Sequence, residues 1–314
     1  MRPLKRLIFA FVIAGILCQL SFTLFIKEIK KYQQHNTERL TELLTRNTAY
    51  DVLFLGSSRT HFDINPAVID SVCNTRSYNA GVEGGGVYEF EMMLRAYLEN
   101  HPAPKWLVLD LDLHSFNAGQ KMFNYPVYFP YLQNKVIKRY LSENGHLTPL
   151  KKAAPFLRIM DYDDDAKGNF VKGMFGKSEI PPGDFQYKGY ISNTSVTVDP
   201  NETLPARSAY KISDEGKANL DSIVNICRKY NCGIIFMYAP EYKKRLQEIV
   251  SNADQILNYM QGYAGGNNIP FLRDDNLDIC ADPMLFANFG HLNKQGAQTY
   301  SVILGAELNA IIHK

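Results

Sequence analysis

Three short clusters in this 314-residue sequence hold residue types that acyl-transfer chemistry needs. The first is Gly56-Ser57-Ser58-Arg59-Thr60-His61, directly after the apolar run Val52-Leu53-Phe54-Leu55. A serine on a tight turn between a strand and a helix stands at the rim of a sheet, where backbone N–H groups can hold a developing oxyanion. The second is Asn79-Ala80-Gly81-Val82-Glu83-Gly84-Gly85-Gly86. Its glycines allow close approach of backbone to a ligand, but it lacks the Gly-x-Gly-x-x-Gly spacing of a dinucleotide site. The third is Asn288-Phe289-Gly290-His291-Leu292-Asn293. Serine becomes a nucleophile when a base takes its proton, and histidine is the usual base near neutral pH. A third group must then orient the imidazole. Arg59, beside the serine, reads either as an attractor of an anionic substrate group or as the partner of a carboxylate.

These clusters are useful only if the chain brings them to one place. Short apolar runs at 51–55, 76–79, 106–113, 233–238 and 269–272 read as strands. Helices are expected from Asn65-Pro66 onward, where Asn caps and Pro opens the first turn, and over 87–100, 211–230, 243–260 and 295–312. In the 211–230 helix Leu220, Ile223, Val224 and Cys227 recur at i, i+3, i+4 and i+7. Alternation of strands and helices implies an α/β fold with a central parallel sheet covered on both faces, and ligands of such sheets bind at the carboxyl ends of the strands. The three clusters follow strand one, follow strand two and precede the last helix. Alternation along strand three places Asp110, Asp112 and His114 on one face, a polar network at the strand end.

Residues 115–210 interrupt this pattern. They are rich in aromatics (Phe123, Tyr125, Tyr128, Phe129, Tyr131) and in turn formers such as Pro181, Pro182 and Gly183. They read as an inserted cap over one end of the sheet. Asp161, Asp163, Asp164 and Asp165 open like a calcium loop, but Ala166 replaces the required Gly and Lys172 the closing Glu. A solvated acidic turn is the expectation, with no metal and no cofactor.

Residues 7–26, opening on Leu7 and closing on Ile26, carry no charge. At about 1.5 Å per residue they match a bilayer core of about 30 Å. Arg2, Lys5 and Arg6 precede them and Lys27, Lys30 and Lys31 follow. A short basic N-terminus that stays in the cytoplasm puts the rest outside, and Gln19 to Ile26 offers no Ala-x-Ala cleavage pattern. The expected organisation is an uncleaved anchor over 1–31, a polar helical stalk over 32–48 and an α/β domain over 49–314. The formal charge of +2 is a composite: six basic and one acidic side chain in residues 1–31 leave a mildly acidic body. The whole chain, with 46 % apolar and 21 % charged residues, has the composition of a globular protein, and its mildly acidic body is unsuited to nucleic acid. Cys73, Cys227, Cys232 and Cys280 could form two disulfides outside the cytoplasm or stay as buried thiols.

Taken together, the clusters resemble those of the SGNH (GDSL-type) hydrolase superfamily, in a membrane-anchored bacterial branch. Gly56-Ser57-Ser58 is similar to the Gly-Asp-Ser block, with Ser58 at the nucleophile and Ser57 at the Asp position. Asn79-x-Gly81 resembles the second block, and Asn288-x-x-His291 the final Asp-x-x-His block. The resemblance covers about 51–113 and 211–314. It implies a flavodoxin-like three-layer sandwich, Ser58 as nucleophile, His291 as base, and Ser58, Gly81 and Asn79 as oxyanion donors. Asn288 stands where the acid is expected; Asp282 and Asp278 are alternative carboxylates. The Gly-x-Asn-Asp block is missing, which leaves the side-chain oxyanion donor unassigned. The implied activity is an esterase or O-acyltransferase of the bacterial cytoplasmic membrane, single-pass and facing outward. Its implied partners are an acylated glycan or envelope polymer and a multispanning acyl-exporting protein. The alternatives are a catalytically degenerate module that binds a glycan or envelope partner, and a structural component of a polymer-export assembly.

Overall fold

The computed structural model describes residues 2–32, 34–117, 121–122, 124–164, 166–168, 175, 186–193, 197–199, 201, 204 and 206–314. Phe123, Asp165, Lys172 and Pro181, Pro182 and Gly183 of the sequence reading lie outside the described residues. By packing, the chain divides into two units: residues 1–41 with 124–182, and residues 42–123 with 183–314.

The larger unit is built on five parallel strands. They are β1 (Val52–Leu55), β2 (Ser77–Asn79), β3 (Trp106–Asp110), β6 (Gly233–Tyr238) and β7 (Phe271–Arg273), in the order β2-β1-β3-β6-β7. This is the flavodoxin-like order, in which ligands bind where the strand order reverses beside β1. All four β1 residues are buried, because a parallel sheet is covered on both faces. Phe54 lies opposite Asn79 on one side and Val108 on the other. The loops after Leu55, Asn79, Asp110 and Tyr238 therefore leave one edge of the sheet together.

Helix α3 (Ser58–Asp63) follows β1, and α4 (Pro66–Cys73) starts where expected: Asn65 Oδ1 accepts from Ala67 N at 3.0 Å. Helix α5 (Val87–Leu98) follows β2, and Glu89 Oε2 accepts from Gly86 N at 2.9 Å to cap it. Helix α8 (Asp214–Lys229) packs against α5, with Leu220, Ile223, Val224 and Cys227 buried as their spacing predicts. On the other face, α10 (Lys294–Ile312) packs on α4, and Tyr300, Leu304 and Leu308 join Val52, Phe54, Val108 and Ile235 in the core. Truncating one such leucine to alanine typically costs about 2–5 kcal/mol. All five cysteines are free thiols, and the four in the body are buried.

Two expectations need correction. Strand β3 ends at Asp110, not at residue 113, and Asp112 and Ser115 form a turn in which Asp112 N donates to Ser115 Oγ at 2.9 Å. The helix expected over 243–260 begins only at Ala253, as α9 (Ala253–Gly266). Arg245–Ile249 is π-helical, and Val250 bridges Ser208, with Ser208 N donating to Ile249 O and Ser251 N to Ser208 O. Those tertiary bonds replace the α-helical ones the local sequence favours. The sequence also gives no sign of the hairpin β8 (Phe286–Asn288) and β9 (His291–Leu292).

Around the second cluster, the hairpin β4 (Gln186–Tyr187) and β5 (Tyr190–Ile191) turns at Lys188 and Gly189, both at positive φ. Lys188 O accepts from Asn79 N at 3.0 Å. The end of the expected stalk belongs to the same unit. Leu43 and Leu44 are buried, and Glu42 Oε1 accepts from Thr48 Oγ1 at 2.5 Å and Tyr50 OH at 2.7 Å.

In the smaller unit, α1 (Arg2–Tyr32) is followed by most of α2 (Gln34–Thr45). The stretch Pro3–Glu28, of mean hydropathy 2.3, is long and apolar enough to cross a membrane. Leu7, Phe9, Phe11, Ile16 and Leu20 are exposed, whereas Phe22 and Phe25 are buried. Phe25 meets Tyr162 edge-on at 5.0 Å, next to the 3₁₀ segment Pro155–Asp161. Within the acidic run, Asp161 pairs with Lys151 at 2.6 Å and Asp164 with Lys167 at 3.0 Å. Asp163 Oδ1 accepts from Ala166 N at 2.7 Å.

Candidate active site

Ser57 and Ser58 sit on the turn between β1 and α3. Ser57 is the helix cap; its Oγ accepts from Arg59 N at 3.3 Å and donates to Asp112 Oδ2 at 2.6 Å. This leaves Ser58 as the partly exposed serine. Gly56 is required by crowding: a Cβ there would lie 2.8 Å from Asp110 Cβ and 2.9 Å from Asp110 O.

Residues 286–292 form the antiparallel hairpin β8–β9, in which Asn288 and His291 are direct cross-strand partners. Leu292 N donates to Asp63 Oδ1 at 3.0 Å, which ties this hairpin to the end of α3. His291 Nε2 consequently stands 2.9 Å from Ser58 Oγ. Its Nδ1 stands 3.0 Å from Asn288 Oδ1. Gly290 N and His291 N also donate to that oxygen, at 2.9 and 3.0 Å. Two converging backbone donors assign the carbonyl, not the amide nitrogen, to this position. An acceptor facing Nδ1 places the proton there and leaves Nε2 free to accept from Ser58. Phe62 packs edge-on against the ring, with centroids 5.8 Å apart. Burial, followed by the charges of Arg59 and Arg245, pushes the pKa of His291 down to about 4. The imidazole is thus neutral and able to accept a proton across the physiological range.

Of the carboxylates considered for the acid position, Asp282 Oδ1 instead accepts from Met284 N at 2.9 Å, and Asp278 lies exposed in a 3₁₀ turn. Asn288 is the residue on the ring.

Asn79 and Gly81 are placed differently from the expectation. Asn79 is fully buried, and its Nδ2 donates to Thr60 O at 2.6 Å and Ile64 O at 2.8 Å. Carbonyls at the end of a short helix lack internal partners, and this amide supplies them. Asn79 therefore has no side-chain proton left for an oxyanion. Its Oδ1 accepts from Gly81 N at 3.0 Å, so that donor is engaged too. Gly81 is demanded by packing: a Cβ would lie 2.5 Å from His61 N and 2.8 Å from Ser57 O. Ser58 N has no acceptor among the described residues and is the open donor of the expected three.

Arg59 is buried as well, at 3 % exposure, and does not face solvent as a substrate contact would. It donates to Ala239 O, and its guanidinium lies 4.5 Å above the Tyr238 ring. Burial would favour loss of its proton, but Glu241, Tyr238, Asp110 and Asp112 around it hold the charge. Arg245 pairs with Glu241, which also accepts from Tyr238 OH. Asp110 Oδ2 accepts from Thr60 Oγ1 at 2.9 Å and Oδ1 from Ala239 N at 3.2 Å; burial pushes its pKa up to about 6, against Arg59. Asp112 is buried too, yet His114 beside it, Arg59 and the Ser57 hydroxyl hold its carboxyl below the usual range. Tyr238, Glu241 and Arg245 escaped the sequence reading. The signal was their position just past strand 233–238, at the edge where ligands bind.

No protein-family model matches the chain, and no curated protein sequence matches it. Among solved structures, the chain is similar to a protein of Streptococcus pneumonia provisionally described as a platelet activating factor, at 14 % identity and TM-score 0.44, over 93 % of this chain and 98 % of that one. It is also similar to a GDSL-like lipase from Bacteroides thetaiotaomicron VPI-5482, at 13 % identity and TM-score 0.39, over 90 % and 99 % of the two chains. A third is the acetylxylan esterase Axe2 from Geobacillus stearothermophilus, at 13 % identity and TM-score 0.38, over 84 % and 94 %. The parallel sheet has the flavodoxin-like strand order that the sequence resemblance implies.

Proposed function

We propose that this chain is a membrane-anchored serine esterase or O-acyltransferase that removes or moves acyl groups on a glycan or envelope polymer, outside the bacterial cytoplasmic membrane. The observation that carries this reading is the contiguous line Ser58 Oγ, His291 and Asn288 Oδ1, with links of 2.9 and 3.0 Å. The apolar Pro3–Glu28 helix supports the anchor.

In this reading Ser58 Oγ attacks an acyl carbonyl while His291 Nε2 takes its proton. The carbonyl oxygen becomes an oxyanion facing Ser58 N–H. Gly81 N–H can join only by sharing its proton with Asn79 Oδ1. The tetrahedral adduct collapses, the ester C–O bond breaks, and His291 returns the proton to the departing alcohol. Water or an acceptor hydroxyl then attacks the acyl-serine, His291 takes its proton, and Ser58 is regenerated. Water gives an esterase and an acceptor hydroxyl an acyltransferase. A multispanning acyl-exporting protein would supply the acyl group in the second case, and it should co-purify with the chain.

A fluorophosphonate probe should label the full chain in detergent at Ser58, and p-nitrophenyl acetate should be hydrolysed. Both signals should vanish in Ser58→Ala; labelling that persists in this variant sinks the assignment.

A second reading, a module that binds an acylated glycan without turning it over, is favoured by the neutral Asn288 and the engaged Gly81 N–H. Glycan binding with neither labelling nor hydrolysis would select it.

A further inference from the structure

A cavity of about 230 Å³ opens among the loops that leave the carboxyl ends of β2 and β3. The glycine loop at 84–86, the first turn of α5 and the first turn of α8 enclose it, and His114, Asn117, Lys121, Glu215 and Asn219 are among its lining residues. Its volume is below the roughly 300–1,000 Å³ of sites for drug-sized ligands, so it suits one small ring.

The cavity is connected to the nucleophile turn through Asp112. Asp112 Oδ2 accepts from Ser57 Oγ at 2.6 Å, and its Oδ1 lies 2.6 Å from His114 Nδ1 and accepts from His114 N at 3.1 Å. The carboxylate therefore orients the His114 ring and occupies its Nδ1–H, leaving Nε2 on a ring that lines the cavity. The charge of Asp112 also holds the pKa of His114 up.

The remaining wall groups define what would fit. Asn219 Nδ2 is buried with no hydrogen-bond partner among the described residues. Lys121 and Glu215 neutralise each other as an ion pair, and Lys121 Nζ lies 4.6 Å over the Tyr88 ring. Glu89 is engaged by Gly86 N and by Met122 N at 2.6 Å. An acyl chain would leave the Asn219 amide and His114 Nε2 unpaired, which is penalised in a buried site. An anion would face two carboxylates. A neutral ring bearing several hydroxyls accepts from the Asn219 amide, donates to His114 Nε2 and meets the paired charges.

We propose that this cavity is the subsite for the alcohol portion of the ester, a neutral sugar ring, and that His114 is a specificity-determining residue for it. This rests on the reading in which Ser58 attacks an acyl carbonyl.

The test uses the full chain in detergent, with a methyl glucoside acetate and p-nitrophenyl acetate as substrates. His114→Gln and, separately, Asn219→Ala should each lower the ratio of kcat/KM for the sugar ester to that for p-nitrophenyl acetate by at least tenfold, through KM of the sugar ester. An unchanged ratio in both variants overturns the subsite. Asn219→Ala lies outside the Ser57–Asp112 network, so it decides the matter if His114→Gln fails to fold. If the wild type neither reacts with a fluorophosphonate nor turns over either ester, the esterase reading has failed. Methyl glucoside binding, measured by calorimetry, then decides the cavity: binding lost in the variants supports it and no binding by the wild type overturns it.

Discussion

Asn288 Oδ1 lies 3.0 Å from His291 Nδ1 and is held in place by the backbone N–H groups of Gly290 and His291. An asparagine in place of the triad aspartate costs about 10⁴ in rate when it stabilises the wrong imidazole tautomer. Here the two backbone donors keep the carbonyl toward the ring, so the tautomer is the productive one. What is lost is the negative charge that would stabilise imidazolium.

Asn288→Ala should therefore reduce p-nitrophenyl acetate hydrolysis by about 10²-fold or more, on the scale of general-base catalysis, because the acceptor that fixes the Nδ1–H tautomer is gone. Asn288→Asp should raise kcat, since it restores charge without disturbing the acceptor. Steady-state kinetics of the two variants provide the check, and equal activity in Asn288→Ala and wild type would show that the contact is idle.

The acid limb of kcat/KM should follow from the lowered pKa of His291, pushed to about 4 by burial and by Arg59 and Arg245. The base works when neutral, so activity should be retained as pH falls through 6.5, where an ordinary histidine would protonate, and be lost toward about 4. In Asn288→Asp the added carboxylate favours the protonated ring and should move the limb upward. A pH profile from 3.5 to 8 measures both; an unshifted limb near 6.5 in the wild type contradicts the site described.

Ser57→Ala should separate the two serines. It deletes a buried hydrogen bond to Asp112 and a helix cap, each worth about 1–2 kcal/mol, so the midpoint of denaturant unfolding should fall. Fluorophosphonate labelling at Ser58 should persist. Loss of labelling with unchanged stability would exchange the roles of the two residues.

Asp274 is buried, accepts from Tyr300 OH at 2.6 Å, and has its pKa pushed up to about 7 by burial. The folded state then binds this proton more tightly than the unfolded chain does, so the contribution of Asp274 to stability falls as pH rises from about 4 to about 7 and stays low above that. Asp274→Asn keeps an acceptor for Tyr300 and removes the titration. The variant should gain thermal stability relative to wild type as pH rises across that window, as scanning calorimetry can follow. A constant difference in Tm would refute it.

The sequence by itself determined the α/β alternation, because runs such as Val52-Leu53-Phe54-Leu55 and the spacing of Leu220, Ile223, Val224 and Cys227 encode local periodicity and burial. It also named Ser58 and His291, because a glycine-flanked serine after a strand and an Asn-x-x-His before the last helix are local patterns. Only the tertiary structure decided which atoms meet. Asn79 and Gly81 read as oxyanion donors in sequence, yet Asn79 is consumed by the carbonyls of Thr60 and Ile64, and Gly81 is small because Ser57 O and His61 N crowd it. Arg59 read either as an attractor of an anionic group or as the partner of a carboxylate, and its burial among Tyr238, Glu241, Asp110 and Asp112 decides for the second. The bridge of Val250 to Ser208 overrode a helical pattern, and the β8–β9 hairpin that aims His291 at Ser58 has no strong strand signal. Hydrogen-bond partners far apart in sequence are chosen by packing, and no local pattern carries that choice.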